Sequence, residues 1–150
     1  MAESFWTFLG WSGIYGPVAL AALGSAVGCT RAGKAACGAM LEIDGGYGRY
    51  IGIAVLPSTM VIFGIVVMFT LNRPVGAATS PGLFAVGTLS GLALLIIGSL
   101  QGECCAAAIN ASKSKPTVFG LSITPAAIVE GFAVFAFVFA LIVSGTIPEG

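Results

Sequence analysis

Charge is scarce in this chain of 150 residues. Lys and Arg number six, Asp and Glu six, and histidine is absent, so charged side chains make up 8% of the sequence and the formal net charge is zero. Soluble domains carry about 25% charged residues. A neutral chain offers no basic surface for nucleic acid. Without histidine it lacks the commonest metal ligand and the side chain that changes charge near neutral pH. The four cysteines, Cys29, Cys37, Cys104 and Cys105, form no CxxC pair, and adjacent Cys104 and Cys105 would point to different sides of a helix. Small apolar packing residues are expected there, not disulfides or metal ligands. The opening Met1-Ala2-Glu3-Ser4 has no basic stretch, so a cleavable signal peptide is not expected.

What the chain has instead is apolar length. Hydrophobic residues make up 57% of it and glycines number 22. In water so much glycine would argue for loops; in a membrane it argues for closely packed helices. The reading is an all-α integral membrane protein with four transmembrane helices in two tandem hairpins. The helices are expected from about Ser12 to Leu41, Tyr50 to Leu71, Gly82 to Asn110 and Thr117 to Ser144. Asp44-Gly45-Gly46 and Asn72-Arg73-Pro74 mark breaks between them. The domain division that follows is an aromatic-rich interfacial segment over 1–11, a first hairpin over 12–73 and an extracytoplasmic loop over 74–81. A second hairpin covers 82–144 and a tail 145–150. The first helix is longer than the ~30 Å of hydrocarbon a bilayer offers, so its last turns should project into water. Arg31, Lys34, Arg49, Lys113 and Lys115 gather at the 1–2 and 3–4 ends, and Arg73 alone at the 2–3 end. The 1–2 and 3–4 loops are therefore expected in the cytoplasm and both termini outside.

The hairpins look like copies. Gly24-Ser25-Ala26-Val27-Gly28 matches Gly98-Ser99-Leu100-Gln101-Gly102 at a shift of 74, and Ala54 and Phe63 match Ala126 and Phe135 at a shift of 72. Under that register Glu130 stands opposite Ser58. Gly24, Gly28, Ala32 and Ala36 recur every four residues, as do Gly98, Gly102 and Ala106. Such stripes let helix backbones approach closely, either at the inner radius of a ring or as a seam within one molecule.

Within the fourth apolar run stands one acid, Glu130. A charge at that depth costs several kcal/mol, so an intramembrane carboxylate reads first as an ion or proton carrier and otherwise as a protonated group hydrogen-bonded between helices. The polar side chains at comparable depth are Gln101, Ser58 and Thr59. Gln101 can donate to a carboxylate or offer its carbonyl to a cation, while the two hydroxyls readily bond back to their own helix. Pro57 should also free a backbone carbonyl one turn earlier, near Ile53. Glu103 lies level with Arg31 and Lys34 and reads as structural. Gly28-Cys29-Thr30-Arg31-Ala32-Gly33-Lys34-Ala35 nearly spells a phosphate-binding loop. It fails because Ala35 has no hydroxyl for Mg²⁺ and the segment continues a helix instead of following a strand.

These motifs, with Leu56-Pro57-Ser58-Thr59, Phe63-Gly64, Ala106-Ala107-Ala108, Lys115-Pro116 and Val129-Glu130 in order over nearly the whole chain, resemble the duplicated c-type proteolipid of V-type rotary ATPases. The resemblance implies a homo-oligomeric membrane ring. Glu130 would be its one ion-carrying carboxylate per four helices, neutralised by its ion while facing lipid and released beside an arginine of the stator. Central-stalk subunits would meet the cytoplasmic loops. The chain would hold no ATP site and catalyse nothing alone. Sodium-binding members of the family carry a Gln after the helix-2 Thr, a Tyr near the carboxylate and a Gln in helix 3. Here the first two positions are Met60 and Phe63, and Gln101 is kept. A hard cation wants several oxygens, so the expected cargo is H⁺. Na⁺, held by Glu130, Gln101 and Thr59, is the alternative. From the residues alone, a small tetraspan transporter or channel, or a structural membrane protein, stays open.

Overall fold

The computed structural model of the chain describes residues 2–149. Among them, four helices are long and apolar enough to cross a membrane: Ala2–Met40, Tyr47–Leu71, Ser80–Ser114 and Pro116–Ser144, here spans 1 to 4. The bounds depart from the expected ones in instructive places. Span 1 starts at Ala2, not near Ser12, so Phe5 to Trp11 forms its first turns and not a separate segment. No proline interrupts that stretch, and Glu3 in the first turn complements the positive end of the helix dipole. Span 2 starts at Tyr47, which moves Arg49 from the loop into the helix. It follows Gly45 and Gly46 at φ 153° and 70°, where a side chain would be strained. Span 3 runs on to Ser114 because nothing in Ala111–Ser114 breaks a helix. It stops when Lys115, forced out of the helical region by Pro116, takes φ −138° and ψ 89°.

Spans 2 and 4 are both interrupted. Span 2 is α-helical over Tyr47–Ala54, a 3₁₀ turn over Leu56–Ser58 and α-helical again over Thr59–Leu71. Span 4 passes from a 3₁₀ turn at Pro116–Val118 through a short helix, Phe119–Ser122, into the long helix Thr124–Ser144. Each change falls at a proline, Pro57 or Pro125, which lacks an N–H and crowds the preceding turn.

Span 1 lies along span 3 for most of its length, backbone against backbone. A methyl added at Gly24 would stand 2.6 Å from Leu95 Cα, one at Gly91 2.9 Å from the Gly16 oxygen and one at Gly98 3.0 Å from the Gly24 carbonyl carbon. The two glycine stripes therefore meet each other inside the protomer. Span 2 packs on span 1 through a second close approach, where a methyl on Gly64 would meet the Pro17 oxygen at 2.6 Å. Span 4 is outermost: 17% of its apolar window is buried, against 33–39% for the other three.

Polar contacts close the two ends. At the end carrying the 1–2 and 3–4 loops, Lys113 pairs with Glu42 at 2.7 Å. There Arg49 stacks over the Tyr50 and Phe119 rings at 4.7 and 5.7 Å, joining spans 2 and 4. At the opposite end Arg73 donates to the Ile147 and Thr70 oxygens at 2.9 and 3.2 Å, satisfying carbonyls that end spans 4 and 2.

The seam sets a steric test. Gly24→Val is expected to destabilise the protein by about 1–3 kcal/mol or more, because the clash is with backbone that cannot swing aside. Gly38→Ala, where no neighbour lies within 4 Å of the added carbon, is expected to be neutral or to gain up to about 1 kcal/mol from helix propensity. Unfolding of the purified protein by denaturant titration in detergent measures both.

Candidate ion-binding site

The fourth span presents two stripes. Ala126, Glu130, Ala133, Phe137 and Ala140, spaced four, three, four and three apart, lie on one helical face. Ala126, Ala133 and Ala140 are buried, and Glu130 is half-buried among them. On the other side Ile128, Phe132, Phe135, Phe139 and Ile142 are each 60–63% exposed. The carboxylate therefore belongs to the inward stripe, and its neighbours there are alanines, which leave room around it.

Two packing contacts set what lies level with it. Phe63 of span 2 stacks on Phe137 with ring centroids 5.0 Å apart, and Met60 shares a buried cluster with Ala133. Spans 2 and 4 run in the same direction, so Thr59 falls within one helical turn of the height of Glu130. Cys105 of span 3 shares a buried cluster with Ala126. Spans 3 and 4 run oppositely, so one turn back from Cys105 and one turn on from Ala126 place Gln101 and Glu130 at the same level.

The four side chains expected at the site are differently placed. Gln101 is fully buried, and neither its oxygen nor its nitrogen has a hydrogen-bond partner among the described residues. Leaving a buried amide unpaired costs about 1–3 kcal/mol, which suits a group meant to meet a ligand or a changing protonation state. Thr59 is half-buried and donates its hydroxyl to the Leu56 oxygen at 3.1 Å; its lone pairs remain available. Ser58 is exposed on the protomer surface. The two ion pairs among the described residues, Arg31–Glu103 and Lys113–Glu42, leave Glu130 out. Glu103 is thus a paired acid: Arg31 binds its carboxylate and also donates to the Ser99 oxygen at 3.1 Å, tying span 1 to span 3.

One residue at this height was not anticipated. Ser25 donates to the Pro57 oxygen at 2.8 Å and accepts from the Val61 N–H at 3.2 Å. The signal available in the sequence was a hydroxyl in the middle of a glycine–alanine stripe, one helix away from an intramembrane proline.

Two comparisons with known proteins match the chain. The family described as the C subunit of ATP synthase matches twice, over residues 12–71 and 84–143, once for each hairpin. The A-type ATP synthase subunit K of Methanocaldococcus jannaschii is 33% identical over 127 residues, which cover 79% of this chain and 56% of that protein. The chain thus spans little more than half the length of this curated relative.

The unpaired amide yields a prediction. Gln101→Leu removes two unpartnered buried polar atoms and keeps the volume, so the protein is expected to stay as stable or to gain about 1–3 kcal/mol. Denaturant titration in detergent reads this. A loss of more than about 1 kcal/mol would mean that Gln101 is held by a partner in the folded chain.

Proposed function

The chain belongs to the family of the ATP synthase C subunit as a tandem duplicate, and from that premise we propose that it is the membrane rotor subunit of a V-type, archaeal-type ATPase or ATP synthase. Copies assemble into a ring. Each copy contributes two hairpins, 12–73 and 82–144, and a single ion-carrying carboxylate, Glu130. The 1–2 and 3–4 loops face the cytoplasm, where Lys34, Arg49, Lys113 and Lys115 cluster and where the central-stalk subunits meet the ring. Both termini lie outside.

The observation that carries the reading is the pairing of a half-buried intramembrane acid with a fully buried, unpartnered Gln101 at the same height. In contact with lipid, the low dielectric favours the neutral form of Glu130; opposite an arginine of the stator, it favours the charged form. Gln101 can accept a hydrogen bond from the protonated carboxyl and donate one to the ionised carboxylate, so it serves both states. The difference between the two environments ties ion release to rotation. No nucleotide site is needed in this chain.

The proposed ion is H⁺. Met60 is fully buried and Phe63 is stacked on Phe137, so neither of these span-2 positions brings an oxygen. Ser58 is exposed, and the Thr59 hydroxyl is engaged as a donor. The Gln101 oxygen and the Thr59 lone pairs are more than enough for a protonated carboxyl and, with Glu130, few for a hard cation, which wants several oxygens. Na⁺ on Glu130, Gln101 and Thr59 is the second reading, favoured by the free Gln101 oxygen.

A carbodiimide, which takes up the proton of a carboxyl and is then attacked by its oxygen to give an O-acylisourea, is expected to label Glu130 and stop ATP-driven ion transport in the assembled complex. Na⁺ at fixed pH should give no protection. Met60→Gln, by supplying an oxygen, should make the labelling Na⁺-sensitive. Protection by Na⁺ in the parent protein would assign the ring to Na⁺, and transport that survives Glu130→Gln would end the rotor reading.

A further inference from the structure

An α-helix closes its ladder by donating each N–H to the carbonyl four residues back. In span 2 the bond from the Val61 N–H to the Pro57 oxygen is intercepted. The Ser25 hydroxyl, arriving from span 1, accepts from Val61 at 3.2 Å and donates to the Pro57 oxygen at 2.8 Å. The side chain is buried. A polar group inserted into the ladder is a recognised cause of a helix bend. Here it sits immediately after the 3₁₀ turn Leu56–Ser58, at the start of the helix that carries Thr59 and Met60. The insertion is possible because Pro57 nests on span 1, where a methyl at Gly28 would stand 2.6 Å from its Cβ.

The second hairpin lacks this device. The repeat counterpart of Ser25 is Ser99, and its hydroxyl bonds within its own helix to the Leu95 oxygen at 2.8 Å. The fourth span carries Val129 and Glu130 where the second carries Pro57 and Ser58.

We propose that Ser25 is a positioning residue for the ion-carrying site: by bridging Pro57 and Val61 it fixes the first turn of the helix Thr59–Leu71, and with it the placement of Thr59 and Met60 relative to the fourth span. The proposal rests on the ion-carrying role of Glu130. Without the bridge the Val61 N–H can reach the Pro57 oxygen directly. The first turn after Pro57 can then tighten, and Thr59 and Met60, which that turn carries, shift relative to the fourth span. Ser25 touches no ion. It acts through the shape of its neighbour.

The test is a double-mutant cycle read at the carboxyl of assembled rings in membranes, with ring integrity checked by native mass spectrometry. Ser25→Ala is expected to keep the ring, to quicken carbodiimide labelling of Glu130 roughly three- to tenfold at fixed pH and to slow ATP-driven transport by a similar factor. Ser99→Ala should change neither. Pro57→Ala removes the bend at its source, so adding Ser25→Ala to it should have no further effect. Unchanged labelling in Ser25→Ala, or effects of the two substitutions that multiply, would overturn the proposal. If the Ala variant gives no ring, Ser25→Thr, which keeps the hydroxyl, must give a ring with parental labelling; a Thr ring that labels faster refutes the bridge. Glu130→Gln separates the two ideas. If it leaves transport intact, the rotor reading falls. If it abolishes transport while Ser25→Ala changes nothing, the positioning role alone falls.

Discussion

The rest of the protomer depends on how closely the backbones of spans 1 and 3 approach. In lipid, hydrophobic burial does little to drive helices together, and contact between small residues supplies the association. Gly24, Gly91 and Gly98 place backbone against backbone, with no room for a β-carbon at any of them. The pair becomes a thin two-helix plate, locked across by Arg31 bridging Glu103 and the Ser99 oxygen. Large side chains are excluded from the glycine positions of this seam, while Leu83, Leu94 and Ile109 of span 3 are buried elsewhere on it. Gly28 also forms the seat for Pro57, so the bend of span 2 is moulded on the same surface that joins spans 1 and 3. A change in that seam would travel to the site without touching a side chain in it.

Polar groups at mid-depth differ between the hairpins, although Ser99 of the second also bonds backbone, at Leu95. In the first, Ser25 and Thr59 spend their hydroxyls on nearby backbone, at Pro57, Val61 and Leu56. They shape the chain. In the second, Gln101 is buried without a partner and Glu130 is in no ion pair among the described residues. In a low-dielectric interior an unsatisfied polar group is costly, and the fold places its mid-membrane cost at the level of the carboxylate. The two hairpins thus share one plan while only the second holds an acid and an unpartnered amide at that depth among the described residues.

Most of the plan was legible in the residues. The four spans follow from apolar length, the paired hairpins from the repeated glycine motifs, and Glu130 from its depth. The family match, at an offset of 72 residues at both ends of the two repeats (12 to 84 and 71 to 143), agrees with the copied hairpins. Helix ends were less legible. Ala2–Trp11 and Ala111–Ser114 are helical although their composition reads as interface and loop, because no residue there opposes continuation of a helix already under way. Ser25 was invisible as a site because its importance lies in which backbone atoms span 2 brings beside it. Sequence periodicity reports which face a residue is on; it does not report that a neighbouring helix opens its ladder at that height. Ser58 shows the converse. It lies next to Pro57 and aligns with Glu130 in the repeat, yet the 3₁₀ turn that carries it leaves it on the exposed side.

The same packing bears on which ion a carboxylate at this height can hold. Selectivity between a proton and a hard cation is a matter of how many oxygens converge on the carboxylate, since a proton needs one acceptor and a metal ion several. Near the level of Glu130 the second span contributes, beside the Thr59 hydroxyl, sulfur and carbon: Met60, packed with Ala21, Leu94 and Ala133, and one turn on Phe63, stacked on Phe137. These are not idle substitutions of a polar shell. Each is built into an apolar cluster that holds spans 2 and 4 together, so an oxygen placed at either position would have to replace packing as well as add a ligand. Chemistry and stability are coupled there. A ring of this kind would gain sodium affinity only by loosening the contact between the span that carries the carboxylate and the span that covers it.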